Sequence, residues 1–161
     1  NIYLMCECKS ALEFYNDYHQ NIWNKIIHMI FIPMIVLSVR ILLSEFYIGQ
    51  PFFNWPGLTK KMKFGLGRLM SHVYCIYYFT YGWYPGFVIL VYFTWIEAAY
   101  YYIHDNIPRK YFLAFCMFAL GWTMQFIGHG IEGSKPALFD SLSQAFTAAP
   151  LFSIQAFLPA F

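Results

Sequence analysis

The chain has 161 residues, of which 60% are hydrophobic, 23% aromatic and only 11% charged, against roughly 25% charged in ordinary soluble domains. A formal net charge of +2, scattered along the chain, argues against a nucleic-acid partner. Several apolar segments approach the roughly 20 residues that a bilayer requires, which excludes an ordinary soluble domain. The expectation is an all-α integral membrane bundle of four to five hydrophobic helices, a single domain over residues 1–161, with an amphipathic surface helix at its N-terminal side.

In chain order, Glu7, Lys9, Glu13 and Asp17 interrupt the first segment, against a cleavable signal peptide. Residues 9–23 read as an interfacial amphipathic helix, with Tyr15, Tyr18 and Trp23 suited to the membrane boundary. Ile26 to about Phe46 is the first long apolar run, with Pro33 expected to kink it and Arg40 interrupting it. A loop over 47–63 ends in Lys60, Lys61 and Lys63; Leu66 to Trp83 is a second span, and Tyr84-Pro-Gly reads as a turn. Phe87 to Ile103 is a third span and His104 to Lys110 a polar loop. Tyr111 to Ile127 is the fourth span, and Ala137 to Phe161 a last helix kinked or broken at Pro150.

Lys60, Lys61, Lys63, Arg68, Arg109 and Lys110 all fall at one face, the cytoplasmic side or its equivalent. His28 and His129 then share the opposite face, and His104 stays on the basic side. Cys75 and Cys116 lie within apolar segments, where a thiol acts as a small hydrophobe. His72 reads as a packing residue. Glu97, inside the third span without an evident partner, is a functional candidate on the cost of burying it.

The most informative stretch is Trp122 to Asp140. Trp122, Gln125, His129 and Glu132 follow at steps of three, four and three, so a continuous helix puts them on one face. Such groups in an apolar helix need partners or a task. Gly128, Gly130 and Gly133 allow close backbone approach and weaken the helix, and Pro136 suits the first turn of a new one. A second constellation lies upstream. Tyr15 pairs with His19 and Asn24 with His28, each four apart. Nine residues separate the two histidines, about two and a half turns, so one straight helix points them in nearly opposite directions. If they serve one site, the helix breaks between about Gln20 and Trp23, where Asn21 tolerates a break.

Tyr15-x3-His19-x4-Asn24-x3-His28-x4-Pro33, followed by Trp122-x2-Gln-Phe-Ile-Gly-His129, Glu132, Pro136-Ala-Leu and Asp140, resembles the 2-hydroxy fatty acid dioxygenase family of small integral membrane proteins. The resemblance implies an Fe(II)-dependent enzyme of the endoplasmic reticulum, acting with dioxygen on long-chain 2-hydroxy acyl substrates and releasing acids one carbon shorter. Such acids arise in phytosphingosine degradation. By matching positions, His19, His28 and His129 are the implied iron ligands, with His104 a fourth candidate only if Pro108 folds its loop back. Asn24, Gln125, Glu132 and Asp140 are the implied partners that orient the imidazoles. The link from His129 to Glu132 is one residue shorter than the family pattern. That rotates Glu132 by about 100° on a helix and predicts a carboxylate turned away from the imidazoles. The alternative reading is a structural subunit of a larger membrane assembly, for instance in the mitochondrial inner membrane. A transporter lacks the expected internal repeat.

Overall fold

The computed structural model describes residues 19–46, 65–133 and 142–155, and these are almost entirely helical. Five α-helices follow in order: α1 Ile22–Leu42, α2 Leu66–Tyr81, α3 Trp83–Asn106, α4 Lys110–Glu132 and α5 Leu142–Gln155, with a 3-10 turn Leu43–Glu45 prolonging α1. Three segments, Ile22–Glu45, Trp83–Asn106 and Lys110–Glu132, are long and apolar enough to cross a membrane. Helix α2, with 16 residues, rises only about 24 Å, short of the roughly 30 Å hydrocarbon core. Trp83, Trp95, Phe112 and Phe115 are exposed, which suits a lipid-facing surface.

The boundaries differ from the expected ones for identifiable reasons. Helix α1 begins at Ile22 because Asn21, in an extended conformation, accepts a hydrogen bond from the Trp23 N–H on its side chain; this is an N-cap. It then runs through Pro33 without interruption. The corner between α2 and α3 falls at Gly82 rather than at Tyr84-Pro-Gly. Gly82 has φ 140°, open chiefly to glycine. Pro85 instead sits in the first turn of α3, where its missing N–H has no intrahelical partner to lose. Helix α3 continues to Asn106 and α4 to Glu132, beyond the expected ends. Helix α5 passes through Pro150 unbroken. Of the surface helix expected over residues 9–23, residues 19–21 are not helical and 22–23 belong to α1; its remainder, the loop over 47–63, the expected start of the last helix at Ala137 and its end beyond Gln155 lie outside the described residues.

Helix α4 packs antiparallel along α1, the most extensive pairing in the fold. Two glycines seven residues apart on α4 form the seam. A Cβ at Gly121 would collide with Ile35, and one at Gly128 with Asn24 Oδ1. Small residues at such spacing let helices approach closely in a membrane. Gly130, by contrast, faces open space, and Gly133 ends the helix at φ 73°. On the other side of α1, Tyr78, Ile89, Tyr92, Phe93 and Ile96 of α2 and α3 close around Ala148, Leu151 and Phe152 of α5.

Glu97 has a partner. Arg40 Nε donates to its Oε1 at 2.5 Å and Arg40 Nη2 to Oε2 at 3.0 Å. The guanidinium lies 3.7 Å over the Tyr100 ring. Arg68 and Tyr101, and Tyr111 and Glu45, hydrogen-bond at the same end. Arg109 and Lys110 begin α4 there too, so the described basic residues of the loops share the end remote from His28 and His129.

A three-histidine candidate metal centre

His19 lies in the non-helical stretch ahead of α1, His28 in the second turn of α1, and His129 in the last turn of α4. The break at Gln20 and Asn21 allows the first two to meet. Their ring centroids lie 4.3 Å apart, and His129 is 5.0 Å from each. One ligand atom from each residue fits within 4.8 Å of the others. All three are buried, at 0%, 2% and 5% exposure. Antiparallel packing of α4 on α1 thus joins residues about 100 positions apart in sequence.

The donor chemistry fits a metal ion. His28 Nδ1 lies 3.0 Å from the Asn24 backbone carbonyl, a bond in which the ring N–H donates and Nε2 keeps its lone pair. His129 Nδ1 is buried without a hydrogen-bond partner among the described residues. Three imidazoles so close cannot all be charged cheaply, and neutral imidazole is a ligand for iron, zinc or copper. The Phe152 ring packs 4.8 Å from His19 and 6.2 Å from His28 by centroid, giving the site an apolar wall. Nothing in the sequence distinguishes Phe152 from the other seventeen phenylalanines.

The surrounding polar residues take distinct positions. Glu132, expected to be turned away from the imidazoles, reaches the backbone that carries His19. Its Oε1 accepts from Gln20 N at 2.6 Å and Asn21 N at 2.9 Å, and its Oε2 from Asn24 Nδ2 at 2.8 Å. Gln125 is buried one turn below His129, and Trp122 two turns below. Gln125 Nε2 and Trp122 Nε1 have no hydrogen-bond partner among the described residues. Asp140 lies outside the described residues.

His104 does not join this group. It ends α3, with its ring 5.4 Å from Tyr100 and Nδ1 3.4 Å from Asp105 Oδ1. The reason is topological: only Ile107–Arg109 separates α3 from α4, and α4 is unbroken to Glu132. His129 is therefore about 28 Å along the helix from that loop. His72, expected to be a packing residue, is instead exposed on α2, with Nδ1 2.8 Å from the Arg68 carbonyl.

Residues 5–160 match the family described as 2-hydroxy-palmitic acid dioxygenase Mpo1-like. Over 155 residues the chain is 33% identical to the 2-hydroxy-palmitic acid dioxygenase MPO1 of Saccharomyces cerevisiae, covering 96% of this chain and 81% of that protein. No solved structure matches it. With nearly the whole chain matched and His19, Asn24, His28, Gln125 and His129 buried together at one end of the bundle, the protein belongs to the Mpo1-like family.

Proposed function

We propose that the protein is an Fe(II)-dependent dioxygenase that shortens long-chain 2-hydroxy fatty acids by one carbon, working in the membrane of the endoplasmic reticulum. The observation that carries this reading is the buried trio of His19, His28 and His129, with ligand atoms within 4.8 Å of one another. The family's description as a 2-hydroxy-palmitic acid dioxygenase supports the reaction class, and three helices long and apolar enough to cross a membrane support the setting. His19, His28 and His129 would hold a ferrous ion, which would supply dioxygen chemistry at the C1–C2 bond of a 2-hydroxy acid.

The chain's own residues supply the rest. Asn24, through its backbone carbonyl, fixes the His28 tautomer so that Nε2 faces inward as a lone pair. Trp122 Nε1 and Gln125 Nε2 offer unused N–H donors on the His129 face of α4, as an acid's carboxylate and hydroxyl oxygens need. Phe152 and the apolar faces of α1 and α5 exclude water and leave an alkyl tail among hydrocarbon. The overall reaction balances with one dioxygen: R–CH(OH)–COOH gives R–COOH, carbon dioxide and water.

The test is direct. Protein purified in detergent without chelator, under nitrogen, is analysed for metals, then given 2-hydroxypalmitate and oxygen. Iron at about one ion per chain, as one three-imidazole site predicts, with pentadecanoate as product, supports the reading. Protein that retains no divalent metal and yields no shortened acid sinks it.

A further inference from the structure

We propose that Glu132 is a positioning residue that sets the metal affinity of the centre by fastening the stretch carrying His19. This rests on the reading of the three histidines as metal ligands. It assigns Glu132 a task other than orienting an imidazole directly.

The argument begins with how each histidine is held. His28 and His129 project from regular helix, so packing of α4 on α1 fixes them. Among the described residues His19 lies outside regular helix, two positions before the N-cap of α1. The Glu132 carboxylate fastens the backbone immediately after His19, accepting the N–H groups of the next two residues, Gln20 and Asn21. The second carboxylate oxygen takes the Asn24 side chain, and the Asn24 carbonyl meets His28 Nδ1. One carboxylate thereby ties the stretch beside His19 to the helix bearing His28 and to that bearing His129.

Local electrostatics support a dedicated role. Glu132 is the last residue of α4, where the helix dipole disfavours a negative charge. Its oxygens sit at the amino end of α1, where the dipole favours one. The contact is also built from the α4 side. Gly128 lies one turn before Glu132, and its missing Cβ makes room for Asn24 to lie against the helix. An alanine at 128 would displace that amide.

The charge itself is not what the geometry requires. Glutamine at 132 keeps one carbonyl oxygen for the two backbone N–H groups. Its NH2 group then faces Asn24, whose Oδ1 has no partner among the described residues and becomes an acceptor when the amide turns over. Alanine supplies nothing.

The experiment titrates metal-free protein in detergent micelles with Co(II), read by ligand-field absorption and by competition with a chelator. The proteins are wild type, Glu132→Ala, Glu132→Gln, His19→Ala and the double variant His19→Ala/Glu132→Ala. Glu132→Ala should weaken binding by about 10- to 100-fold, the usual cost of losing an outer-shell partner, while Glu132→Gln stays near wild type. In the His19→Ala background, removing Glu132 should change affinity by less than about twofold, because residues acting through one another are not additive. If Glu132→Ala does not fold, Asn24→Ala, which removes one of the three hydrogen bonds, should show a smaller loss that also disappears without His19. Wild-type affinity in Glu132→Ala, or an equal loss with and without His19, overturns the proposal alone. A wild-type protein that does not bind Co(II) overturns it together with the metal reading.

Discussion

Helix α1 carries a buried polar cluster near each end, and the two are built on opposite principles. At the Arg40 end, opposite charges meet fork to fork: both carboxylate oxygens of Glu97 accept from the guanidinium, which also covers the Tyr100 ring. At the His28 end, three groups of the same kind converge, and the His129 nitrogen Nδ1 finds no hydrogen-bond partner among the described residues. The first arrangement satisfies itself and needs nothing further. The second gathers lone pairs around a shared point and leaves N–H donors below it unused. Burial of polar groups in a membrane protein therefore separates into two kinds, and the test is whether the groups complete one another.

The largest effect should come from breaking the open cluster. His129→Ala leaves two imidazoles, too few to retain a labile ferrous ion through purification. Loss of turnover should exceed the roughly 100-fold expected for an outer-shell partner, and iron should fall to background by elemental analysis. Equal iron in the variant and the wild type would remove His129 from the site. The helices themselves should persist, since the ring contributes little packing that Phe152 and α1 do not already provide.

The closed cluster should fail in a different way. Glu97→Ala strands a buried arginine and should cost about 3–5 kcal/mol of stability, read as a lower midpoint of unfolding in mixed micelles. Replacing both partners, Arg40→Met with Glu97→Leu, should recover most of that loss, because apolar side chains of similar volume do not leave an unpaired charge. Metal binding by the folded fraction should be unchanged in both variants. A Glu97→Ala protein as stable as wild type would mean that solvent reaches the pair.

The contrast also marks how far the sequence could be read. Helix count, membrane character and the need for a break near Asn21 followed from hydropathy and from the nine-residue spacing of His19 and His28, because periodicity is a local property. The grouping of these histidines with His129 required the resemblance, since no spacing relates α1 to α4. What stayed hidden was pairing across helices. Arg40 and Glu97 each stood out alone in an apolar run, yet 57 residues separate them, and nothing local says that α1 and α3 meet there. Gly82 was overlooked beside Tyr84-Pro-Gly because a proline marks both turns and first helical turns. Glu132 is a related case: spacing along α4 says nothing of the Gln20 and Asn21 backbone that its carboxylate reaches.

The smallest effect should come from His104→Ala, and it tests the assignment of each histidine to its end. His104 packs on Tyr100, the ring beneath Arg40, and has Asp105 beside it. It therefore belongs to the closed cluster in space, although its residue type suggests the open one. Removing it takes away an edge of packing around Tyr100 and leaves the Arg40–Glu97 fork intact. The expected change in stability is within about 1 kcal/mol, the range of substitutions that break no buried network. Iron content and turnover should match wild type, because about 28 Å of α4 separates its loop from His129. Should His104→Ala lose iron while keeping its unfolding midpoint, the two ends of α1 would be communicating, and the division between a self-satisfied cluster and an open one would have to be abandoned.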